Sequence, residues 1–132
     1  AFLHHLTQTL GLEDIDIIAG RAEEIAHDNK YRERFDVVLS RGVASLATLV
    51  ELTLPFCATG GCFVAQRKGD IESELSRAGK AISTLGGNLR WVKHITLDEF
   101  TDNRCLVVIE KVSPTPDRYP RRPGMPSKIL QA

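Results

Sequence analysis

The chain has 132 residues, a length that fits a single domain. Hydrophobic residues make up 42% of the sequence and charged residues 26%, which excludes a disordered or collagen-like chain. Basic and acidic residues balance at 17 each, so the overall charge says nothing about a nucleic-acid partner and any basic surface has to be local.

The cysteines and histidines show no spacing typical of a disulfide framework or a zinc site. Cys57, Cys62 and Cys105 form no CxxC pair, so we expect reduced thiols, a cytoplasmic location and no metal site. The sequence also lacks an apolar run of the ~18 residues that a membrane-spanning helix needs, so we expect no membrane partner.

The first forty residues predict two helix–strand pairs. Apolar residues at three- and four-residue steps predict a helix over 2–10, which Gly11 ends. An apolar run over 15–19 predicts a strand, and residues 21–27 predict a short helix. The continuous apolar run over 35–40 predicts a second strand that is buried on both faces.

The middle of the chain continues this alternation. Ser45 is a suitable N-cap for a helix over 46–54. After a turn at 59–61, residues 62–66 predict a third buried strand. Asp70 is a suitable N-cap for the helix that follows this strand.

Two strands then follow in succession, over 89–96 and 104–112, joined by a polar connector. Alternating helices and strands predict an α/β fold with a mostly parallel sheet and helices on both of its faces. The last two strands predict an antiparallel edge hairpin. The final residues are rich in proline and lack an apolar period, so we divide the chain into a domain over 1–112 and an extended tail over 113–132.

Polar residues follow several of these strands, at the points where an open α/β sheet binds its ligands. The segments concerned are 20–24, 40–45 and 67–70. Arg41 is charged where a buried strand emerges, so we expect it to point into the crevice, and an ion pair with a nearby acid is the alternative. For Glu23 the alternative is a simple interaction with the helix dipole, and for Lys68 it is a plain loop position.

The tail has a local basic charge. Between residues 113 and 128 it carries four basic side chains and one acidic, a net charge of +3. Arginine and lysine bind phosphates by releasing counterions, and a tyrosine can stack on a base, so the tail suits RNA. A solvated tail packed along the domain is the alternative.

Several segments together resemble a known family of bacterial enzymes. They are GRAEE at 20–24, FDVVLSRGVASL at 35–46, Lys68-Gly69, and YPRRPGMPSK at 119–128. In this order and spacing they are similar to RsmG, also called glucose-inhibited division protein B, which methylates guanine N7 in 16S ribosomal RNA. The resemblance covers the whole chain.

The resemblance implies a class I, Rossmann-like methyltransferase sheet whose final strand is antiparallel. It also implies S-adenosylmethionine as the methyl donor and 16S ribosomal RNA or the small ribosomal subunit as the partner of a monomer. The family's donor contacts map onto Ala22 and Glu23, near the adenine, and onto Arg41, while no catalytic residue is assigned. The candidate RNA contacts are Lys68, Arg121, Arg122 and Lys128.

The chain departs from the family at its start. The family's glycine-rich loop and the acidic end of its second strand would lie before Ala1, so the chain resembles the C-terminal part of a longer protein. A sheet that lacks its central first strand has exposed edges. We therefore expect the chain alone to bind S-adenosylmethionine poorly and to be inactive.

Other functions stay open at this point. One is a class I methyltransferase with a small-molecule or protein substrate, against which the basic tail argues. Another is a non-enzymatic RNA-binding domain with a degenerate donor site. A nicotinamide-dependent reductase is a third, although its glycine-rich fingerprint does not occur in this chain.

Overall fold

A computed structural model describes residues 2–42, 44–96 and 103–128. Within them the helices are α1 (Phe2–Thr9), α2 (Ala22–Ile25), α3 (Leu46–Thr53) and α4 (Ile71–Thr84), and a 3-10 turn (Leu54–Phe56) follows α3. The strands are β1 (Phe35–Arg41), β2 (Cys57–Lys68), β3 (Gly87–Ile95) and β4 (Arg104–Lys111). Most of the predicted connector, 97–102, and the end of the predicted tail, 129–132, lie outside the described residues.

Helices α3 and α4 begin at the predicted caps. The Ser45 hydroxyl accepts a hydrogen bond from the Thr48 amide at 3.3 Å, and the Asp70 carboxylate accepts one from the Ser73 amide at 3.2 Å. Each cap satisfies an amide that lacks a partner in the first helical turn. Both cap predictions are confirmed.

The strands form one mixed sheet in the order β1-β2-β4-β3. β1 and β2 are parallel and are connected through α3, whereas β4 is antiparallel to both of its neighbours. The predicted α/β class and the antiparallel hairpin are therefore confirmed. The parallel part of the described sheet is the single pair β1–β2.

The strand predicted over 15–19 is wrong, because these residues form no strand. An extended segment becomes part of a sheet only when a neighbour completes its hydrogen-bonded ladder, and no described strand lies beside this one. Ile15 and Ile18 consequently stay 48% and 45% exposed.

The predicted turn at 59–61 is also wrong, because these residues lie inside β2. β2 approaches β1 closely here. A Cβ atom at Gly61 would collide with the Asp36 carbonyl, so the close approach requires glycine. The register of the β1–β2 pair shifts at the same place, between Phe35 and Val37.

The core lies on one face of the sheet. Residues at alternate positions of β2 and β4 pack there against α3 and α4, among them Phe63, Ala65, Val107 and Ile109. The opposite face leaves Leu39 73% exposed and Trp91 55% exposed. The prediction of helices on both faces is wrong for the described residues, because α3 and α4 pack against each other on one face and α1 buries none of its residues.

Residues 113–128, here called the C-terminal segment, pack along the domain. Arg32 donates hydrogen bonds to the carbonyls of Thr115, Pro116 and Tyr119 at 2.8–3.3 Å. The Thr115 hydroxyl donates to the Leu85 carbonyl at 2.6 Å, and both Thr115 and Tyr119 are buried. The C-terminal segment therefore packs along the domain, as in the alternative named above to an RNA-binding tail, and its contact with RNA stays a prediction.

The buried Lys111 and its partner Glu33 hold the start of the C-terminal segment in place. Lys111 Nζ donates to the Leu54 and Cys57 carbonyls at 2.8 Å each and lies 3.0 Å from the Glu33 carboxylate, which also accepts from the Thr115 amide. Burial lowers the pKa of Lys111 below its ordinary value, while the hydrogen bond to Glu33 opposes the shift. The ion pair thus links β4 to the loop after α2 and to the C-terminal segment.

Candidate functional site

The carboxyl ends of β1 and β2 meet at a cavity of about 280 Å³, here called the rim cavity. The cavity is lined by Arg41, Gly42, Gln66, Arg67, Lys68 and Arg104. Since β4 runs antiparallel to β2, its first residue arrives at the same edge, and Lys68 lies opposite Arg104 in the register. Four of the six lining residues are basic, and Arg41 among them is paired with no acid within the described residues, so the cavity is suited to an anion.

Arg41 lies where the sequence predicted, at the end of β1 and in the wall of the rim cavity. Its register partner on the parallel strand β2 is Gln66. The side chain is exposed, and within the described residues no acid pairs with it. Within the described residues Arg41 therefore does not form the ion pair that was given as the alternative. Its guanidinium is available to a ligand.

Arg67 holds the loop that follows Arg41, a role the sequence analysis missed. Its guanidinium donates to the carbonyls of Gly42 and Ala44 at 3.0 and 2.8 Å and forms a two-pronged pair with Glu74 at 2.6 and 2.9 Å. Glu74 also accepts from the amide of Leu46 at 3.3 Å. The Arg67–Glu74 pair therefore joins the end of β2, the start of α4 and the loop between β1 and α3.

Arg104 is the second rim residue that the sequence analysis missed. A signal for it existed, because an antiparallel last strand must begin at the edge where the parallel strands end. Arg67 gave a weaker signal, since its acidic partner lies seven residues further on, in a helix.

Ala22 and Glu23 do not belong to the described lining of the rim cavity. They open α2, which contacts α3, and Glu23 is largely buried, with its carboxylate 3.7 Å from Arg21. Their assignment to the adenine of a donor stays a prediction.

The predicted RNA contacts have different environments. Arg121 pairs with Glu51, a side chain that is 1% exposed, at 2.7 Å, and it also donates to the Lys128 carbonyl at 2.8 Å. The hydrogen bond to Glu51 raises the pKa of Arg121. Arg122, Lys128 and Lys68 are exposed. Contact of these four residues with RNA stays a prediction, and Arg121 has a structural partner in addition.

Two cysteines are unsuited to nucleophilic catalysis. Burial raises the pKa of the Cys57 thiol and of the Cys105 thiol, so both stay protonated near neutral pH.

Residues 2–42, 44–96 and 103–128 contain no group of three or more potential metal ligands. None of the helices in these ranges is long and apolar enough to cross a bilayer.

The chain is similar to known methyltransferases along nearly its whole length. A family model described as rRNA small subunit methyltransferase G matches residues 1–102. A protein of Dehalococcoides mccartyi (strain CBDB1) named Ribosomal RNA small subunit methyltransferase G is 49% identical over 127 residues, covering 96% of this chain and 54% of that relative.

Proteins of the same name from other bacteria give similar matches. The one from Brevibacillus brevis is 45% identical over 128 residues, which are 97% of this chain and 54% of the relative. The one from Clostridium novyi is 43% identical over 126 residues, which are 96% of this chain and 52% of the relative. The chain thus spans about half the length of the curated relatives it matches.

Proposed function

Since the chain belongs to the rRNA small subunit methyltransferase G family, we propose that it is part of an enzyme that methylates guanine N7 in 16S ribosomal RNA. The donor is S-adenosylmethionine, the substrate is the RNA or the small ribosomal subunit, and the enzyme works in the cytoplasm as a monomer. The observation that carries this proposal is the cationic rim cavity at the carboxyl ends of the parallel strands, in a chain that matches this family over residues 1–102.

Two of the residues present are suited to opposite ends of the donor. Arg41 supplies a guanidinium for the donor's carboxylate, and Glu23 supplies an acceptor for its adenine or ribose. The guanidinium of Arg41 would repel a sulfonium, so the methyl group has to lie away from it. At about 280 Å³ the rim cavity is at the lower limit of small-molecule sites, which suits part of a donor or one base.

The proposed reaction needs no proton acceptor from the protein. S-adenosylmethionine supplies an electrophilic methyl group, and guanine N7 presents a lone pair that attacks without prior deprotonation. The contribution of this chain is therefore alignment of the two partners, with cations that hold the RNA backbone. The raised thiol pKa values of Cys57 and Cys105 agree with a mechanism without a protein nucleophile.

The role of Arg41 is tested by Arg41→Ala in this chain joined to the part of the Dehalococcoides mccartyi relative that the chain does not match, here called the joined protein. We expect the dissociation constant for S-adenosylmethionine to rise roughly tenfold, because a charged hydrogen bond is lost. Calorimetric titration measures it, and Arg90→Ala, on the exposed part of β3, is the control. Unchanged donor binding in Arg41→Ala would refute the assignment of Arg41.

The reaction itself is tested by transfer of labelled methyl groups from S-adenosylmethionine to unmodified small ribosomal subunits. We expect the joined protein to form N7-methylguanine and the 132-residue chain alone to form none. A joined protein that binds the donor but leaves the 16S RNA unlabelled would contradict the proposed function.

A further inference from the structure

A second concave surface lies between α3, α4 and the end of the C-terminal segment. It encloses a cavity of about 470 Å³, here called the α3–α4 groove. Three basic residues line it whose side chains make no hydrogen bond or ion pair within the described ranges: Arg77, Lys80 and Lys128. Nothing in the methyl-transfer proposal uses Arg77 or Lys80.

The acidic residues of the groove are neutralised by cations that the fold supplies. Glu51 is paired with Arg121, and Glu74 is paired with Arg67. Neither carboxylate is left to offset the remaining cations. The groove consequently presents an uncompensated charge of +3 toward solvent.

The positions of the three cations are determined by the structure. Arg77 and Lys80 are three residues apart on α4, so they share one face of the helix. Across the groove, the C-terminal segment is held by the hydrogen bond from the Thr48 hydroxyl to the Pro126 carbonyl at 3.1 Å and by the one from Arg121 to the Lys128 carbonyl at 2.8 Å. Lys128 is thereby placed opposite α4.

The groove adjoins the rim cavity. Arg67 lines the rim cavity and Glu74 lines the groove, and these two side chains are in contact at 2.6 Å. A ligand that extends over this pair reaches both surfaces. A polynucleotide has this property, because its phosphates repeat along a continuous strand, and basic side chains that neutralise phosphates gain affinity by counterion release.

We infer that the α3–α4 groove binds the phosphate backbone of the RNA substrate next to the target nucleotide, through Arg77, Lys80 and Lys128. The inference rests on the proposed RNA substrate and adds a second contact region outside the rim cavity. These contacts position the strand and do not read its sequence, since they are made to phosphates.

The test is the charge reversal Arg77→Glu/Lys80→Glu in the 132-residue chain. The probe is a fluorescently labelled, single-stranded RNA of 20 nucleotides and mixed sequence, and its dissociation constant is measured by anisotropy between 50 and 300 mM salt. We expect a loss of affinity of roughly tenfold or more, and a slope of log affinity against log salt that is smaller by about 1.4, since each phosphate contact to a single strand contributes about 0.7.

The matched control is Lys30→Glu/Lys93→Glu. It makes the same change in net charge at two exposed lysines outside the groove. We expect its affinity to stay within about threefold of the wild type, because the long-range effect of distant charges is screened by salt. The neutral variant Arg77→Gln/Lys80→Gln gives a second measurement, and circular dichroism checks that every variant is folded.

Several outcomes would overturn the inference. One is an equal loss of RNA affinity in the groove variant and the control. Another is an unchanged slope of log affinity against log salt in the groove variant. A third is that the wild type binds no RNA at 50 mM salt. Tighter binding of a polyglutamate probe than of RNA would identify the groove as a protein-docking surface and would also overturn it. If the groove variant binds RNA normally while the joined protein still methylates RNA, the groove inference fails and the proposed function stands.

Discussion

Arg41 and Arg67 illustrate how burial assigns different roles to the same residue type. Both lie at the carboxyl ends of neighbouring strands and both line the rim cavity. Arg67 is largely buried, with 9% of its side chain exposed, and its guanidinium is occupied by Glu74 and two backbone carbonyls. Arg41 is exposed and unpaired within the described residues. Arg67 therefore positions the loop, whereas Arg41 is available to a ligand.

Lys111 is a single residue that makes the free energy of unfolding depend on pH. Its pKa is lowered by burial, so between this lowered value and the ordinary value near 10.5 the unfolded chain binds more protons on the residue than the folded chain does. The contribution of Lys111 to the free energy of unfolding therefore rises with pH across this window. Below the window Lys111 is charged in both the folded and the unfolded chain, so the folded state bears the full cost of burying the charge.

The test is Lys111→Met, followed by urea unfolding from pH 7 to pH 10. The variant should lose about 1–3 kcal/mol at pH 7, because the Leu54 and Cys57 carbonyls lose their donor. The stability difference between wild type and variant should widen as the pH rises. Lys30→Met, at an exposed lysine, is the control and should cost less than about 0.5 kcal/mol. A difference that narrows with rising pH is the contrary result.

At the scale of elements, the C-terminal segment is part of the packed structure. It is held by Arg32 at its start, by the His27 ring, which donates to the Pro120 carbonyl at 2.7 Å, and by Glu51 on α3. Deleting the segment would expose buried residues as well as remove basic charge. Single substitutions at Arg122 and Lys128 are therefore the better test of RNA contact, because both side chains are exposed.

Glu51→Ala should release this segment from α3. It removes the acceptor for the Arg121 amide at 2.8 Å and for its guanidinium at 2.7 Å. Breaking a buried pair costs about 3–5 kcal/mol, and the partial exposure of Arg121 places the expected loss at the lower end.

Amide hydrogen exchange gives the local readout of this variant, and exchange over residues 119–128 should speed up markedly. The control is Glu110→Ala, which breaks the exposed pair with Arg90 and should cost less than about 1 kcal/mol. Unchanged protection of residues 119–128 in Glu51→Ala would show that Glu51 does not hold the segment.

At the scale of the whole molecule, the sheet is covered unevenly. Its buried face packs against α3 and α4, whereas the opposite face and the outer edge of β1 lack a partner among the described residues. Val37 and Leu39 are 55% and 73% exposed on β1. An exposed apolar edge strand favours association with another strand, which argues against the predicted monomer for this chain by itself.

Leu39→Lys should reduce self-association of the 132-residue chain, because a charge on an edge strand opposes strand addition. Sedimentation velocity over a range of protein concentrations measures the effect, and we expect the wild type to form larger species as the concentration rises. Leu12→Lys, at a half-exposed leucine outside the strands, is the control. A wild type that sediments as a monomer at all concentrations would contradict this prediction.

The sequence by itself determined the elements whose signals are local. Caps at Ser45 and Asp70, the apolar runs that form β1 and β4, and the basic residue at the end of β1 are set by neighbours in the chain, so these features were predicted correctly. The predicted burial of β1 on both faces is wrong, because Val37 and Leu39 are 55% and 73% exposed. The family was also readable, because its motifs are short contiguous segments.

Only the tertiary structure decided which faces are covered and which charges are available. The strand predicted over 15–19 depended on a partner strand, and the roles of Arg67 and Arg121 depended on acids that lie 7 and 70 residues away in the chain. Pairing of strands and of buried charges is a property of distance in space. Local sequence patterns do not encode it, and the fold alone brings the partners together.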